Sequence, residues 1–154
     1  MKYVRRPEMT GDPLFASSRD GWRDGWDPRP RAHLAPVIVS GNAAVALLSE
    51  KSPLASLEFA EVLATSDLPG GVANLISGRK EELVPHLARH MDVHAIADAG
   101  RDAALSRVIG EDAAVNVKRV KRYVIADYFA GDAQGLDFIE AFTEIKTTWH
   151  PIGV

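Results

Sequence analysis

Three short apolar runs constrain this chain more than any other feature in it. They are AAVALL (43–48), VANLIS (72–77) and the opening of VHAIADAG (93–100), and a stretch of helical character separates each from the next. AAVALL is continuous rather than alternating, which suits a strand covered on both faces, as in a parallel sheet. After it, Ser52-Pro53 opens a helix: the serine hydroxyl caps free N–H groups, and proline fits the first helical position. Leu54, Leu57, Ala60 and Ala64 make the apolar stripe of that helix, widened by Phe59 and Val62, and Asp67-Leu68-Pro69-Gly70-Gly71 ends it. RKEELVPHLARH (79–90) supplies a second helix, with Pro85 as a kink or a delayed start. RDAALSRVIG (101–110) supplies a third, with Gly110 at its end. The order is β-α-β-α-β-α. Parallel strands in sequence need crossovers, and these are right-handed. The expected fold class is therefore α/β: a Rossmann-like parallel sheet with flanking helices.

The flanks read differently. Residues 1–31 contain RDGWRDGWDPRPR, rich in Gly, Pro and charge and without helical or strand period, so they read as an irregular N-terminal arm. From Leu34, APVIVSGN is an apolar run closed by the turn dipeptide Gly41-Asn42. Past the core, AVNVKRVKRYVI alternates Val115, Val117 and Val120 with Lys118, Arg119, Lys121 and Arg122, and predicts an edge strand or extended arm. Leu136, Ile139, Phe142 and Ile145 fall at near-helical spacing. The end, TTWHPIGV, reads as extended. The division expected is an arm over 1–31, a Rossmann-like core over 32–112, and a C-terminal strand, helix and extended tail over 113–154.

At 154 residues the chain is long enough for one domain that buries roughly 70% of its unfolded surface. A net charge of −3 argues against a nucleic-acid partner. No apolar run approaches the ~18 residues of a membrane span, and Met1–Pro7 shows no apolar signal segment, so a cytoplasmic location away from membranes is expected. There is no cysteine, which removes disulfides, thiolate metal sites and a cysteine nucleophile together.

A spaced series of residues carries a family resemblance. Gly41-Asn42 precedes a strand, Ser49-Glu50 ends it, Ser52-Pro53 opens a helix, Leu68-Pro69-Gly70-Gly71-Val72 and Asn74 follow, Gly78 closes the next strand, and His90 and Val93 come after. Over residues 34 to about 100 this resembles the cofactor-binding half of the NAD(P)-dependent aldehyde dehydrogenase superfamily. KTTWHPIGV resembles the C-terminus of shorter, divergent relatives of that superfamily. The resemblance implies an NAD or NADP site built on Ser49, Glu50, Gly78 and Gly100, with Glu50 accepting a hydrogen bond from a ribose hydroxyl.

The departures from the family pattern lie at the cofactor contacts and at the reacting groups. Leu47 stands where the family has a lysine that contacts the adenosine ribose, and leucine offers no hydrogen bond. Leu48 replaces a proline. Arg79, Lys80 and Val84 occupy positions where further glycines let the nucleotide approach the backbone. Asp98-Ala99-Gly100-Arg101 replaces Phe-Thr-Gly-Ser, bringing a carboxylate toward the diphosphate and Arg101 to offset it. The family's thiolate, its Glu-Leu-Gly-Gly general base and its oxyanion asparagine have no counterparts, so no catalytic residue is assigned. The resemblance thus implies a fragment without the catalytic half. Such a fragment would act as a structural or partner subunit, in a homo-oligomer or with an aldehyde-dehydrogenase-type subunit. The alternative is an NAD(P)-binding oxidoreductase component whose partner supplies the chemistry. His86, His90 and His94 fall four apart, but His94 is expected in a strand, so no metal site is assigned. The basic cluster Lys118–Arg122 reads as a solvated strand face or one that meets an acidic partner.

Overall fold

A computed structural model describes residues 13–16, 29–50, 53–145 and 147–149 of the chain. Five parallel strands form one sheet: β1 (Pro13–Ala16), β2 (Ala44–Leu47), β3 (Ala73–Ile76), β4 (Ala95–Asp98) and β5 (Arg119–Arg122). Their order across the sheet is β3-β2-β1-β4-β5. The helices are α1 (Arg29–Val39), α2 (Leu54–Ala64), α3 (Lys80–Arg89), α4 (Ala103–Ala113) and the short α5 (Asp137–Glu140). This is the α/β parallel sheet with flanking helices that the apolar runs predict.

The sheet grows outward from β1 through β2 to β3, then restarts on the other side of β1 with β4 and β5. Right-handed crossovers place helices before and after such a reversal on opposite faces. The two cores follow that rule. On one face Leu34 and Val37 of α1 meet Ala44, Ala46, Ala95 and Ala97 of the sheet, with Phe138 and Phe142 closing the layer. On the other, Leu47 and Ile96 meet Val84 and Ala88 of α3 and Ile109 and Ala113 of α4. Every residue of β4 is buried, as a strand covered on both sides must be. Arg89 Nε donates to Asp112 Oδ1 at 2.9 Å and ties α3 to α4.

Four local differences from the sequence expectations have physical causes. Pro13–Ala16, placed in an irregular arm, is the central strand. It pairs with β2 through Leu14↔Val45 and with β4 through Leu14↔Ile96. Four residues are too few for alternation to show, and the Gly/Pro-rich neighbourhood masked them. Second, the Leu34–Val39 run belongs to α1. Gly41, at φ 84°, stops this helix: its N–H reaches Ile38 O and the Asn42 N–H reaches Val37 O. That paired geometry is a helix stop that glycine accepts without strain. Third, α4 continues past Gly110 to Ala113 and a 3₁₀ turn at Ala114–Asn116. Fourth, α5 is short: Phe138 within it and Phe142 just beyond it are buried, while Leu136 and Ile145 are exposed.

The valine–lysine alternation before β5 is also inverted at one point. Val117 sits in the left-handed region (φ 57°, ψ 41°), where it ends the 3₁₀ turn, and it is exposed. The neighbouring Lys118 is buried, and its ammonium donates to the His90 and Val93 carbonyls. Burial lowers the Lys118 pKa, opposed by the negative charge of Asp92. Ser52 and the tail 150–154 lie outside the described residues, and the described Thr147–Trp149 carry no regular structure. Among the described residues no helix is long and apolar enough to cross a membrane.

Candidate functional site

All five strands are parallel, so their carboxyl ends share one edge of the sheet. In open α/β sheets this is the edge that receives ligands. The four candidate residues all lie along it, but at two separate places.

The first place is at the ends of β2 and β3. Ser49 is buried just beyond β2. Glu50 is exposed, and its Oε1 accepts the backbone N–H of Lys80, the first residue of α3, at 2.5 Å. A carboxylate at a helix N-terminus satisfies an otherwise unpaired N–H and meets the positive end of the helix dipole. Glu50 is thus held by the protein's own backbone. Gly78 lies between β3 and α3. A Cβ built there would come 2.8 Å from Leu83 Cδ1, so the leucine covers the space that glycine leaves open. Leu47, at the position where the resemblance has a lysine, is 2% exposed and packs into the core with Val84. A long polar side chain at that point would start from inside the core.

The second place is a cleft of about 280 Å³ at the ends of β4 and β5, bordered by the first turn of α4. Gly100 lines it, and its N–H donates to Asp98 Oδ1 at 3.0 Å. Asp98 is 2% exposed. Its other oxygen accepts the Ser106 hydroxyl at 2.5 Å and lies 3.8 Å from Arg122 Nε. Arg122 also donates to the Ser106 carbonyl at 3.0 Å. The Asp98 carboxylate is therefore fully enclosed by partners from its own loop, from α4 and from β5. Asp102 caps α4, its Oδ1 accepting from the N–H groups of Ala104 and Leu105. Tyr128 lines the outer wall and bonds to His33 of α1, 3.1 Å from Nε2 to the hydroxyl.

The sequence reading found Gly100 and Asp98 in this cleft but missed Ser106, Arg122 and Tyr128. One signal was available. A serine eight residues after a strand-end aspartate sits in the first turns of the following helix, facing back to that strand. His86 lies in α3, His90 at its end and His94 beyond the turn before β4, and among the described residues no three metal-binding side chains converge.

Known proteins resemble this chain in sequence and fold. Residues 30–123 match the model of the aldehyde dehydrogenase family. The chain belongs to the aldehyde dehydrogenase family. It is 34% identical over 87 residues to the NADP/NAD-dependent aldehyde dehydrogenase PuuC of Escherichia coli, covering 56% of this chain and 18% of that protein. An aldehyde dehydrogenase of Aspergillus niger is 26% identical over 121 residues, 79% of this chain and 23% of its own length. Among solved structures, the Bartonella henselae aldehyde dehydrogenase superposes with a TM-score of 0.64 at 27% identity, over 74% of this chain and 23% of that one. Aldehyde dehydrogenase C of Pseudomonas syringae, in complex with NAD+ and octanal, gives 0.61 at 30% identity, over 73% and 23%. The chain thus spans about a fifth of the length of the family members it matches.

Proposed function

We propose that this aldehyde dehydrogenase family chain does not itself oxidise aldehydes and serves as a structural or partner subunit. The observation that carries the reading is Glu50. The resemblance makes it a ribose acceptor, yet its carboxylate is engaged by the N-terminus of α3. Two further features agree. Leu47 is sealed in the core, and Leu83 fills the space over Gly78. A dinucleotide would have to displace these groups, so the residues present fit it poorly. The 154 residues also contain no cysteine, so no thiolate of theirs can add to an aldehyde.

The second reading is an NAD(P)-binding component, which a partner completes. It is favoured by the cleft itself, at the carboxyl ends of parallel strands and beside a helix N-terminus, and by the relatives whose names record NAD or NADP.

Titration of the purified chain with NAD, NADH and NADP separates the two. A ligand that binds only the folded state stabilises it by RT ln(1 + [L]/Kd), about 2.7 kcal/mol at a hundredfold excess over Kd. The partner-subunit reading expects no change in melting temperature or heat at millimolar cofactor. A saturable shift supports the second reading instead.

A further inference from the structure

Two turns at the amino edge of the sheet form one apolar surface. Residues 90–94 lead from α3 into β4, and residues 114–118 lead from α4 into β5. Hydrogen bonds hold the turns side by side. Asn116 Nδ2 donates to the Met91 carbonyl at 3.4 Å, and the Lys118 ammonium donates to the carbonyls of His90 and Val93. Met91 is 65% exposed, Val115 76% and Val117 88%. Val115 and Val117 flank Asn116, and Met91 accepts from it, so the three apolar residues belong to one hydrogen-bonded pair of turns. Val117 also holds a left-handed backbone, at φ 57°. A β-branched side chain adopts it at a cost, and an exposed one gains no packing in return. Strain of this kind collects where a surface makes a functional contact.

The chain that enters β1 arrives at the same edge. All five strands are parallel, so the amino end of β1 lies there, between β2 and β4. Pro13 is already paired with Ala95 of β4, whereas pairing with β2 begins at Leu14. The chain therefore enters the sheet on the β4 side, toward the two turns. Neighbouring strands are about 4.8 Å apart, which sets the start of β5 about 10 Å from Pro13. Twelve residues reach up to about 40 Å. Residues 1–12 lie outside the described residues, and their sequence is MKYVRRPEMTGD. It holds Tyr3, Val4 and Met9 for an apolar contact, and Arg5 and Arg6 for an acidic rim. Asp92, next to Met91, supplies that rim with a side chain 92% exposed.

We propose that the chain's own residues 1–12 dock on the surface made by Met91, Val115 and Val117, with the arginine pair facing Asp92. The contact covers the apolar side chains and gives Val117 the packing that offsets its strain. It anchors β1, a central strand of only four residues, at its amino end. The proposal goes beyond the partner-subunit reading and stands whether or not nucleotide binds.

The test is paramagnetic broadening in the full chain. The protein has no cysteine, so Lys2→Cys carries a single nitroxide label. The amide signals of Met91, Asp92 and Asn116 should weaken by about twofold or more relative to the reduced label, beyond what a random-coil tether of that length gives. Val39, on the β2 side of the same edge, and Leu54, at the opposite edge, serve as references. In the same labelled chain, Val115→Asp with Val117→Asp should remove the excess broadening at Met91. Both valines are exposed, so circular dichroism should show an unchanged fold. Broadening equal at Met91 and Val39, or absent from both, overturns the proposal. So does broadening that the paired aspartates leave unchanged. Broadening that appears when the nitroxide sits on a separate copy mixed with the isotope-labelled one also overturns it, and makes a second copy the occupant.

Discussion

Ser106 donates its hydroxyl to Asp98 across 2.5 Å, joining the first turns of α4 to the end of β4. The bond is buried, and Arg122 completes it by reaching both residues from β5. Three elements therefore depend on one carboxylate. Asp98→Ala leaves the Ser106 hydroxyl and the Gly100 N–H without their acceptor and is expected to cost about 2–4 kcal/mol. Ser106→Ala removes one donor and should cost about 1–2 kcal/mol. Urea unfolding of both variants measures the difference. Equal losses would show that the Ser106 hydroxyl alone carries the connection, with nothing added by Arg122 or the Gly100 N–H.

Glu50 is a structural acceptor, so its removal should register in stability. Glu50→Ala is expected to lower stability by about 1 kcal/mol through loss of the contact to the α3 N-terminus. Leu47→Lys, which would restore the family residue, places an ammonium where a side chain is 2% exposed. It should cost several kcal/mol and bring no gain in NAD affinity. Thermal melts with and without NAD read both effects, and a Leu47→Lys chain that is stable and binds NAD would refute this.

Val117 holds a left-handed backbone that a β-branched residue adopts only under strain. Its side chain is 88% exposed, so little packing is lost on replacement. Val117→Asn is expected to stabilise the protein by about 1 kcal/mol, since asparagine tolerates this conformation far better. An unchanged or lower melting temperature would mean that the valine makes a contact that offsets its strain.

Tyr123 gives a pH-dependent signature. Its ring is stacked on Phe138, and burial, with the negative charge of Asp137 adding to it, raises its pKa to about 12. In the unfolded chain tyrosine titrates near 10. Between these values the folded state holds a proton that the unfolded state has lost, so stability falls as pH rises from about 10 to 12. Tyr123→Phe should remove that part of the decline. The buried hydroxyl has no hydrogen-bond partner among the described residues. At pH 7 the variant should therefore be neutral or up to about 1 kcal/mol more stable. Denaturant melts across pH 7–11.5 compare the two chains.

Strands β2, β3 and β4 were legible because each is an apolar run bounded by turn residues; β4 is buried throughout, whereas β3 is only half-buried. Helices α2 and α3 were legible from their Pro and Gly boundaries, but the α2 stripe was misplaced: Leu54, Leu57 and Val62 are exposed, and Phe59 and Leu63 face the core instead. α5 was misread because its spacing was matched to a period that a four-residue helix cannot sustain. At the site, Gly78, Gly100 and Asp98 stood out by position. The engagement of Glu50 with Lys80 did not, because a hydrogen bond between residues thirty apart depends on where α3 begins relative to β2. Lys118 was read as solvated from its charged neighbours, and only the close approach of the His90 and Val93 carbonyls explains why it is buried.

The place of β1 has a consequence for how the chain reaches this state. The strand between β2 and β4 comes from the first sixteen residues, and neither neighbour pairs with the other. Until that strand inserts, the molecule is two separate ribbons, β2 with β3 and β4 with β5. Each then shows an apolar edge to solvent. Closure of the sheet must wait for a contact spanning most of the sequence, from Pro13 to Ala95, and such non-local pairing is slow and prone to aggregate. Refolding yield should therefore depend steeply on protein concentration, set by the lifetime of the open intermediate more than by the stability of the finished sheet.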